Sequence, residues 1–330
     1  MLPNISYNLS NEMHTEKGEN KTIAINGHSV LPGENKLVRI EIARLPTGTL
    51  IDIPIHVFNS KRAGPTVLVQ AGLHGDEVNG VEAVRRLLQD TSLQVETGAL
   101  VMVPILNIFG FIHFSRDVPD GKDVNRSFPG RKKGSLASRI AYHYTAEVLP
   151  QVDIAIDLHT GGAQRHNHPQ VRYTEGDAKS KELAKAFGAP YHFSAKLIKG
   201  SFRKTMYGMG KPTIVYEAGE SMRIDEAAIQ KASKGIKNVL VHLKMLKGRK
   251  RQSASVHLET TRWLRAAKAG MFIPGVENGS SIQKGQLLGV ITDTYSKKSR
   301  GIKAPFDGHV FCINHQAVVN QGDALFHVGC

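Results

Sequence analysis

The hydrophobic positions of residues 37–246 change period along the chain, and these changes predict a succession of strands and helices. Short apolar runs rich in β-branched residues are typical of strands, whereas apolar residues three or four positions apart indicate one buried helix face. By these criteria we expect strands at 37–44, 49–58, 66–70, 100–104, 154–158 and 212–216. Helices are expected at 78–90, 136–149, 178–187 and 224–246. The alternation predicts an α/β domain with a mixed sheet flanked by helices, its first two strands an antiparallel pair.

The pattern changes after residue 251, where short strand-like segments are interrupted by glycine. These segments lie at 269–274, 282–289, 303–308 and 321–325. They resemble the small β-sandwich of lipoyl and biotinyl carrier domains, in which glycine-bearing turns join short strands. Lys297 falls near the position of a carrier lysine, but its neighbours match neither the Met-Lys-Met nor the Asp-Lys-Ala pattern. We therefore expect a β-rich C-terminal domain that narrows access to a cleft, without modification of Lys297.

Length and composition set the domain count. A chain of 330 residues has room for a domain of about 200 to 250 residues plus a smaller one. We expect an N-terminal segment at 1–35 that can be partly ordered, an α/β domain at 36–250 and the β-rich domain at 255–330. The region 107–134 contains no clear periodicity, and structureless loops longer than about 15 residues are usually functional. Substrate contacts are therefore expected there.

Several classes of protein are disfavoured. No apolar run reaches the roughly 18 residues of a membrane span, and residues 1–21 are too polar for a signal peptide, so a cytoplasmic protein without membrane partners is expected. The two cysteines, Cys312 and Cys330, do not form a Cys-x-x-Cys pair, which argues against a disulfide framework or a cysteine zinc site.

The net charge of +14 attracts anions in general. Basic clusters lie at 131–133 and 247–251, but aromatic residues make up only 6% of the chain and no nucleic-acid module is recognisable. We interpret the clusters as solvated linker charges and expect no specific nucleic-acid partner.

Three predicted strands end in residues that could share one chemical site. His74 and Glu77 follow the first of these strands, His159 ends the second, and Glu217 ends the third. Each motif alone is weak evidence, because histidine and glutamate are common on loops. Ligands of open α/β sheets, however, bind at the carboxyl ends of strands. Two imidazoles and one carboxylate leave a coordination position open, which is typical of catalytic zinc. Asp157, two residues before His159, can accept a hydrogen bond from the ring N–H of that histidine on the side away from a bound metal.

Four motifs carry a family resemblance: residues 74–77 (His-Gly-Asp-Glu), 123–130 (Asp-Val-Asn-Arg-Ser-Phe-Pro-Gly), 157–161 (Asp-Leu-His-Thr-Gly) and 216–217 (Tyr-Glu). In order and rough spacing they resemble the succinylglutamate desuccinylase/aspartoacylase family of the zinc carboxypeptidase superfamily. The resemblance implies a zinc-carboxypeptidase-like fold and one Zn²⁺ per chain. It also implies roles for seven residues: His74, Glu77 and His159 as zinc ligands, Asn125 and Arg126 as substrate-carboxylate binders, Glu217 as general acid/base, and Arg116 as stabiliser of the oxyanion.

The residues and the resemblance together predict a zinc-dependent hydrolase that cleaves the amide bond of N-acylated amino acids or related small N-acyl amines. The expected partner is a small anionic N-acyl amino acid, and the chain could form a homo-oligomer. Two alternatives stay open: a carboxypeptidase acting on short peptides, and a non-catalytic binding or carrier protein. The segment His166-Asn167-His168 could indicate a second metal, but without a carboxylate at ligand spacing we interpret it as a polar loop.

Overall fold

A computed structural model describes residues 18–44, 47–249, 254–295 and 298–330 of the chain. Lys297 and part of the basic cluster at 247–251 lie outside these ranges. The strands are β1 (Ile23–Ile25), β2 (His28–Val30), β3 (Asn35–Arg44), β4 (Leu50–Asn59), β5 (Thr66–Gln70), β6 (Ala99–Val103), β7 (Ile154–Gly161), β8 (Arg165–Thr174), β9 (Tyr191–Ala195), β10 (Thr213–Glu220), β11 (Val256–His257), β12 (Thr261–Arg265), β13 (Gly270–Pro274), β14 (Ser281–Ile282), β15 (Leu287–Thr292), β16 (Ser299–Lys303), β17 (Gly308–Asn314), β18 (Val318–Val319) and β19 (Ala324–Gly329). The helices are α1 (Val78–Gln89), α2 (Ile108–Ile112), α3 (Leu136–Glu147), α4 (Ala178–Phe187), α5 (Phe202–Gly208) and α6 (Glu226–His242).

A large mixed sheet runs through the described residues, with the strand order β12-β19-β17-β8-β10-β7-β5-β6-β4-β3. Strands β6, β5, β7 and β10 are mutually parallel, and every one of their residues is buried. Parallel strands covered on both faces read as continuous apolar runs, which is why the sequence predicts them well. Helices α1, α4 and α6 cover one face, and α3 and α5 cover the other.

The helix boundaries follow from local capping. The side chain of Ser135 accepts a hydrogen bond from the backbone N–H of Ser138 at the start of α3, and Asp225 accepts one from Ala228 at the start of α6. Helix α4 begins at the cap Asp177 and ends at Gly188, whose left-handed φ of 77° suits glycine. The helix predicted at 224–246 is shorter in the structure: it begins at Glu226, directly after the cap Asp225, and ends at His242.

Some elements were not predicted from the sequence. The region 107–134 contains helix α2 and a 3-10 turn at Val124–Arg126. The interpretation of His166-Asn167-His168 as a polar loop was wrong, because these residues belong to strand β8. Polar residues on both faces of β8 hide its strand periodicity. Residues 304–307, expected to continue a strand, instead connect β16 to β17.

The C-terminal residues form two small sheets around their own apolar core, as expected for a small β-sandwich. One of these sheets is continuous with the main sheet, because β17 pairs antiparallel with β8 and places Cys312 opposite Asn167. Strand β11 likewise extends the sheet beside β9. The C-terminal region is thus joined directly to a strand that contributes to the candidate site. No helix among the described residues is long and apolar enough to cross a membrane.

Candidate active site

His74 and Glu77 lie in the tight connection between β5 and α1, at the carboxyl edge of the parallel strands. The connection passes so close to helix α2 that a side chain at Gly75 would collide with the backbone of Gly110. Glycine at position 75 is therefore required by the close approach of two backbones. On the neighbouring strand β7, His159 projects toward the same point.

Three side chains converge there. The Nδ1 atoms of His74 and His159 are 3.2 Å apart, and each is 2.8 Å from one oxygen of the Glu77 carboxylate. All three residues are buried. Nitrogen ligands about 2.0 to 2.1 Å from a tetrahedral zinc stand roughly 3.3 Å from one another, so the spacing fits zinc. Within the described part of the chain, His74, Glu77 and His159 are the group of three histidine, cysteine or carboxylate side chains whose ligand atoms lie close enough together to hold a metal ion.

Hydrogen bonds behind His159 orient its ring. Its Nε2 atom lies 2.9 Å from Oδ2 of Asp157, and the other oxygen of that carboxylate accepts a hydrogen bond of 2.9 Å from Gln70. A ring that donates from Nε2 to Asp157 directs the lone pair of Nδ1 toward Glu77 and His74, as a metal ligand requires.

The electrostatics of the cluster favour positive charge. Burial alone would lower the pKa of the His159 imidazole, but Asp157 and Glu77 raise it well above its usual range. Burial would raise the pKa of the Glu77 carboxyl, yet the two imidazoles hold it well below its usual value. A buried cluster that stabilises cationic charge in this way suits a divalent metal.

Arg116, for which the family resemblance implies the role of oxyanion stabiliser, lies beside this group. Its Nη2 atom is 2.8 Å from Oδ2 of Asp123, and its Nη1 atom is 3.2 Å from Nδ1 of His74. Burial would raise the pKa of the Asp123 carboxyl, but His74 and Arg116 hold it below its usual range. Asp123 also accepts the backbone N–H of Asn125 and so connects Arg116 to the next pair of residues.

Asn125 and Arg126 lie on the 3-10 turn and line the same cavity as the His-Glu-His group. Asn125 Oδ1 accepts the backbone N–H of Phe202 at 2.9 Å, which leaves its amide Nδ2 as the donor for a ligand. The side chain of Arg126 is 45% exposed, and its Nη1 atom donates to the carbonyl of Asn125. Its guanidinium is therefore accessible to a carboxylate.

Glu217 sits on β10 directly opposite His159 in the strand register. Its Oε1 atom is 2.9 Å from Nη1 of Arg172, and its Oε2 atom accepts a hydrogen bond of 2.7 Å from Nδ2 of Asn167. The sequence analysis assigned neither partner to Glu217: it considered Asn167 only as part of the His166-Asn167-His168 segment and did not single out Arg172.

The cavity that contains these groups has a volume of about 220 Å³. Its wall includes more guanidinium groups than carboxylates: Arg116, Arg126, Arg165, Arg172 and Arg203 against Glu77, Asp157 and Glu217. Trp263 of the C-terminal region also lines it, stacked on His327 with the ring centroids 4.2 Å apart. The sequence carries no local signal for Trp263, because its place in the wall depends on the junction between β8 and β17.

His166 of strand β8 contacts residues that do not belong to the His-Glu-His group. His166 Nε2 is 3.2 Å from Asp225 Oδ2 and its ring stacks on His315, whose Nδ1 is 2.8 Å from Glu220. These residues tie the C-terminal region to the loop after β10.

A scan against protein families matches residues 63–243 to the "Succinylglutamate desuccinylase/Aspartoacylase catalytic domain". The chain is 28% identical over 291 residues to the N-alpha-acetyl-L-2,4-diaminobutyric acid deacetylase of Halomonas elongata, which covers 83% of this chain and 84% of that relative.

Solved structures of similar fold agree with this match. The ectoine utilization protein EutE of Ruegeria pomeroyi, solved with product bound, is 27% identical with a TM-score of 0.81, covering 95% of this chain and 99% of that one. A succinylglutamate desuccinylase from a Silicibacter species is 25% identical with a TM-score of 0.80, covering 94% of this chain and 98% of that one.

The fold and site define an α/β protein of the deacylase type. The chain belongs to the succinylglutamate desuccinylase/aspartoacylase family, as the four sequence motifs indicated. The expected fold class is confirmed as well.

Proposed function

We propose that this protein is a zinc-dependent deacylase that hydrolyses the amide bond of N-acyl amino acids or related small N-acyl amines. The observation that carries the proposal is the convergence of His74, Glu77 and His159 in one cavity with Glu217. Those three side chains would hold one zinc ion. When bound, zinc would polarise the scissile carbonyl and lower the pKa of the attacking water.

The chain's own groups supply the remaining chemistry. The Glu217 carboxylate would accept a proton from the attacking water at one oxygen and return it to the nitrogen of the leaving amine. Arg116 donates from Nη1 on the His74 side of the cavity, where it can stabilise negative charge on the carbonyl oxygen. Asp123 holds that guanidinium in place through two hydrogen bonds.

The wall of the cavity supports an anionic substrate. Arg126 presents a planar donor suited to a carboxylate, and Asn125 adds an amide donor. The curated relative is a deacetylase of an N-acetylated diamino acid. In this chain the excess of arginines supports an N-acyl amino acid with at least one free carboxylate as the substrate class. A cytoplasmic location and a homo-oligomeric state stay predictions of the sequence.

The test combines metal analysis with a substrate panel. Purified protein should contain about one zinc per chain, and His74→Ala and His159→Ala should each remove it. Activity on N-acetyl and N-succinyl amino acids, without release of C-terminal residues from short peptides, supports the deacylase. Peptide cleavage alone would replace it with the carboxypeptidase alternative.

A second arm examines the proton-transfer group. Glu217→Gln should retain zinc and fold but lose about 10²-fold or more in kcat. Near wild-type turnover by this variant would assign the base role to another group. Full zinc content in both histidine variants would instead overturn the metal site.

A further inference from the structure

Both carboxylate oxygens of Glu217 have a partner on strand β8. Arg172 contacts Oε1 at 2.9 Å, and Asn167 donates to Oε2 at 2.7 Å. Glu217 itself is buried, at 9% exposure. A glutamate side chain has three rotatable bonds, so its carboxylate is held in one orientation only if its surroundings hold it.

A β-bulge brings Asn167 to Glu217. Strands β8 and β10 pair Glu217 with Gln170 and then Gly219 with Asn167, so three residues on β8 span two on β10. In a regular ladder position 168 would oppose Gly219, and position 167 would project from the opposite face of the sheet. The extra residue turns Asn167 onto the face that bears Glu217. Pro169 lies inside the bulge, where the missing backbone N–H of proline is tolerated.

Packing from two directions holds these β8 side chains. The guanidinium of Arg172 lies 5.8 Å from the ring centroid of Phe193 on β9. Asn167 is paired across the sheet with the buried Cys312 of β17. The C-terminal region therefore supports the strand segment that holds Glu217.

We propose that Asn167 and Arg172 are positioning residues that hold the carboxylate of Glu217 toward the reacting atoms. This inference rests on the proposed function, in which Glu217 transfers the proton. Catalytic groups must be held within about 0.5 Å of their productive geometry, and a carboxylate fixed at both oxygens meets that requirement. A different role, in which Arg172 binds a substrate carboxylate, would affect substrate affinity instead of turnover.

A double-mutant cycle separates these two roles. Arg172→Met should lower kcat about 10- to 100-fold, within the range of a general acid/base contribution, and change KM by less than about threefold. Arg172→Lys should recover part of kcat. In the Glu217→Gln background, Arg172→Met should cause no further loss, because the group it positions is already disabled.

The matched control is Arg165→Met. Arg165 also lies on β8 and lines the cavity, but its Nε donates to the carbonyl of Gly162. The variant removes the same charge without removing a Glu217 contact, so its effect should be equal in both backgrounds. Zinc content and the unfolding midpoint of every variant show whether fold and metal are retained.

Asn167 provides an independent arm if Arg172→Met does not fold. Asn167→Ala should lower kcat about tenfold, and Asn167→Asp should lower it further, because a second carboxylate would repel Glu217. The proposal is overturned if Arg172→Met raises KM at unchanged kcat, or if the losses multiply fully in the Glu217→Gln background. If Glu217→Gln itself is fully active, the proposed function fails together with this inference. If only the β8 variants are fully active, the inference fails alone.

Discussion

The carboxylate of Asp157 lies 2.9 Å from Nε2 of His159, and this contact leaves Nδ1 of the histidine facing His74 and Glu77. The alternation of side chains along β7 places residues 157 and 159 on the same face of the sheet. One strand therefore supplies both an imidazole of the proposed zinc site and the group that orients it.

Asp157→Asn should weaken zinc binding about 10- to 100-fold, because the amide oxygen can still accept a hydrogen bond from the ring N–H but no longer carries the negative charge that makes the imidazole basic. The measurement is competition for zinc with a chelator of known affinity. Asp153→Asn is the matched control, since Asp153 lies on the same segment at the opposite end of β7 and hydrogen-bonds the backbone of Thr66. An unchanged zinc affinity in Asp157→Asn would contradict the orienting role.

Arg126→Ala should lower kcat/KM for an N-acetyl amino acid about 10- to 100-fold, since a charge-assisted hydrogen bond contributes about 1.5 to 3 kcal/mol. The wild-type enzyme should show a similar drop when the free acid is replaced by its methyl amide. The variant should discriminate little between the two compounds. Equal wild-type activity on the acid and the amide would remove the carboxylate-binding role of Arg126.

Gly75→Ala should destabilise the fold and disturb the zinc ligands, because the added methyl group has no space beside the backbone of Gly110. Overpacking of this kind costs about 1 to 3 kcal/mol. Gly208→Ala is the control, since apart from its chain neighbours and its own helix backbone no atom lies within 4 Å of the Cβ it would add. Chemical denaturation and zinc analysis of both variants measure the effect. A Gly75→Ala protein with wild-type stability and metal content would show that the loop and α2 can separate without cost.

The buried His192 should make the protein less stable in mild acid. Burial, with smaller contributions from His257, Lys185 and Lys181, lowers the pKa of His192 to about 4. The unfolded chain takes up a proton at the ordinary histidine pKa of about 6.5, whereas the folded chain does not. The free energy of unfolding should therefore fall as pH is lowered from about 6.5 toward 4.

The check is chemical denaturation at several pH values across that window. His192→Asn keeps a polar group near the hydroxyl of Ser255, 2.9 Å from Nδ1 in the wild type, but cannot be protonated. Its stability should decline less steeply with falling pH than that of the wild type. The exposed His28→Asn serves as control and should leave the slope unchanged. Identical slopes for all three proteins would assign the acid sensitivity to other groups.

The sequence alone determined much of this protein, wherever the signal is local. The spacing of His74 and Glu77 and the apolar runs of β5, β7 and β10 all arise from neighbours in the chain. Buried parallel strands appear as continuous apolar runs and amphipathic helices as a repeat of three to four residues, so the α/β fold could be predicted from these local patterns. The family was recognised from the resemblance of four short motifs.

The tertiary structure alone decided how distant segments meet. Strand β8 has polar residues on both faces, so its alternation is hard to recognise. Its β-bulge also moves the side chain of Asn167 to the opposite face of the sheet, so alternation could not predict the contact with Glu217. Trp263 reaches the cavity because β17 joins β8 and carries the C-terminal strands to the edge of the site. Pairing between strands more than a hundred residues apart is set by the packing of the whole sheet, and no short stretch of sequence encodes it.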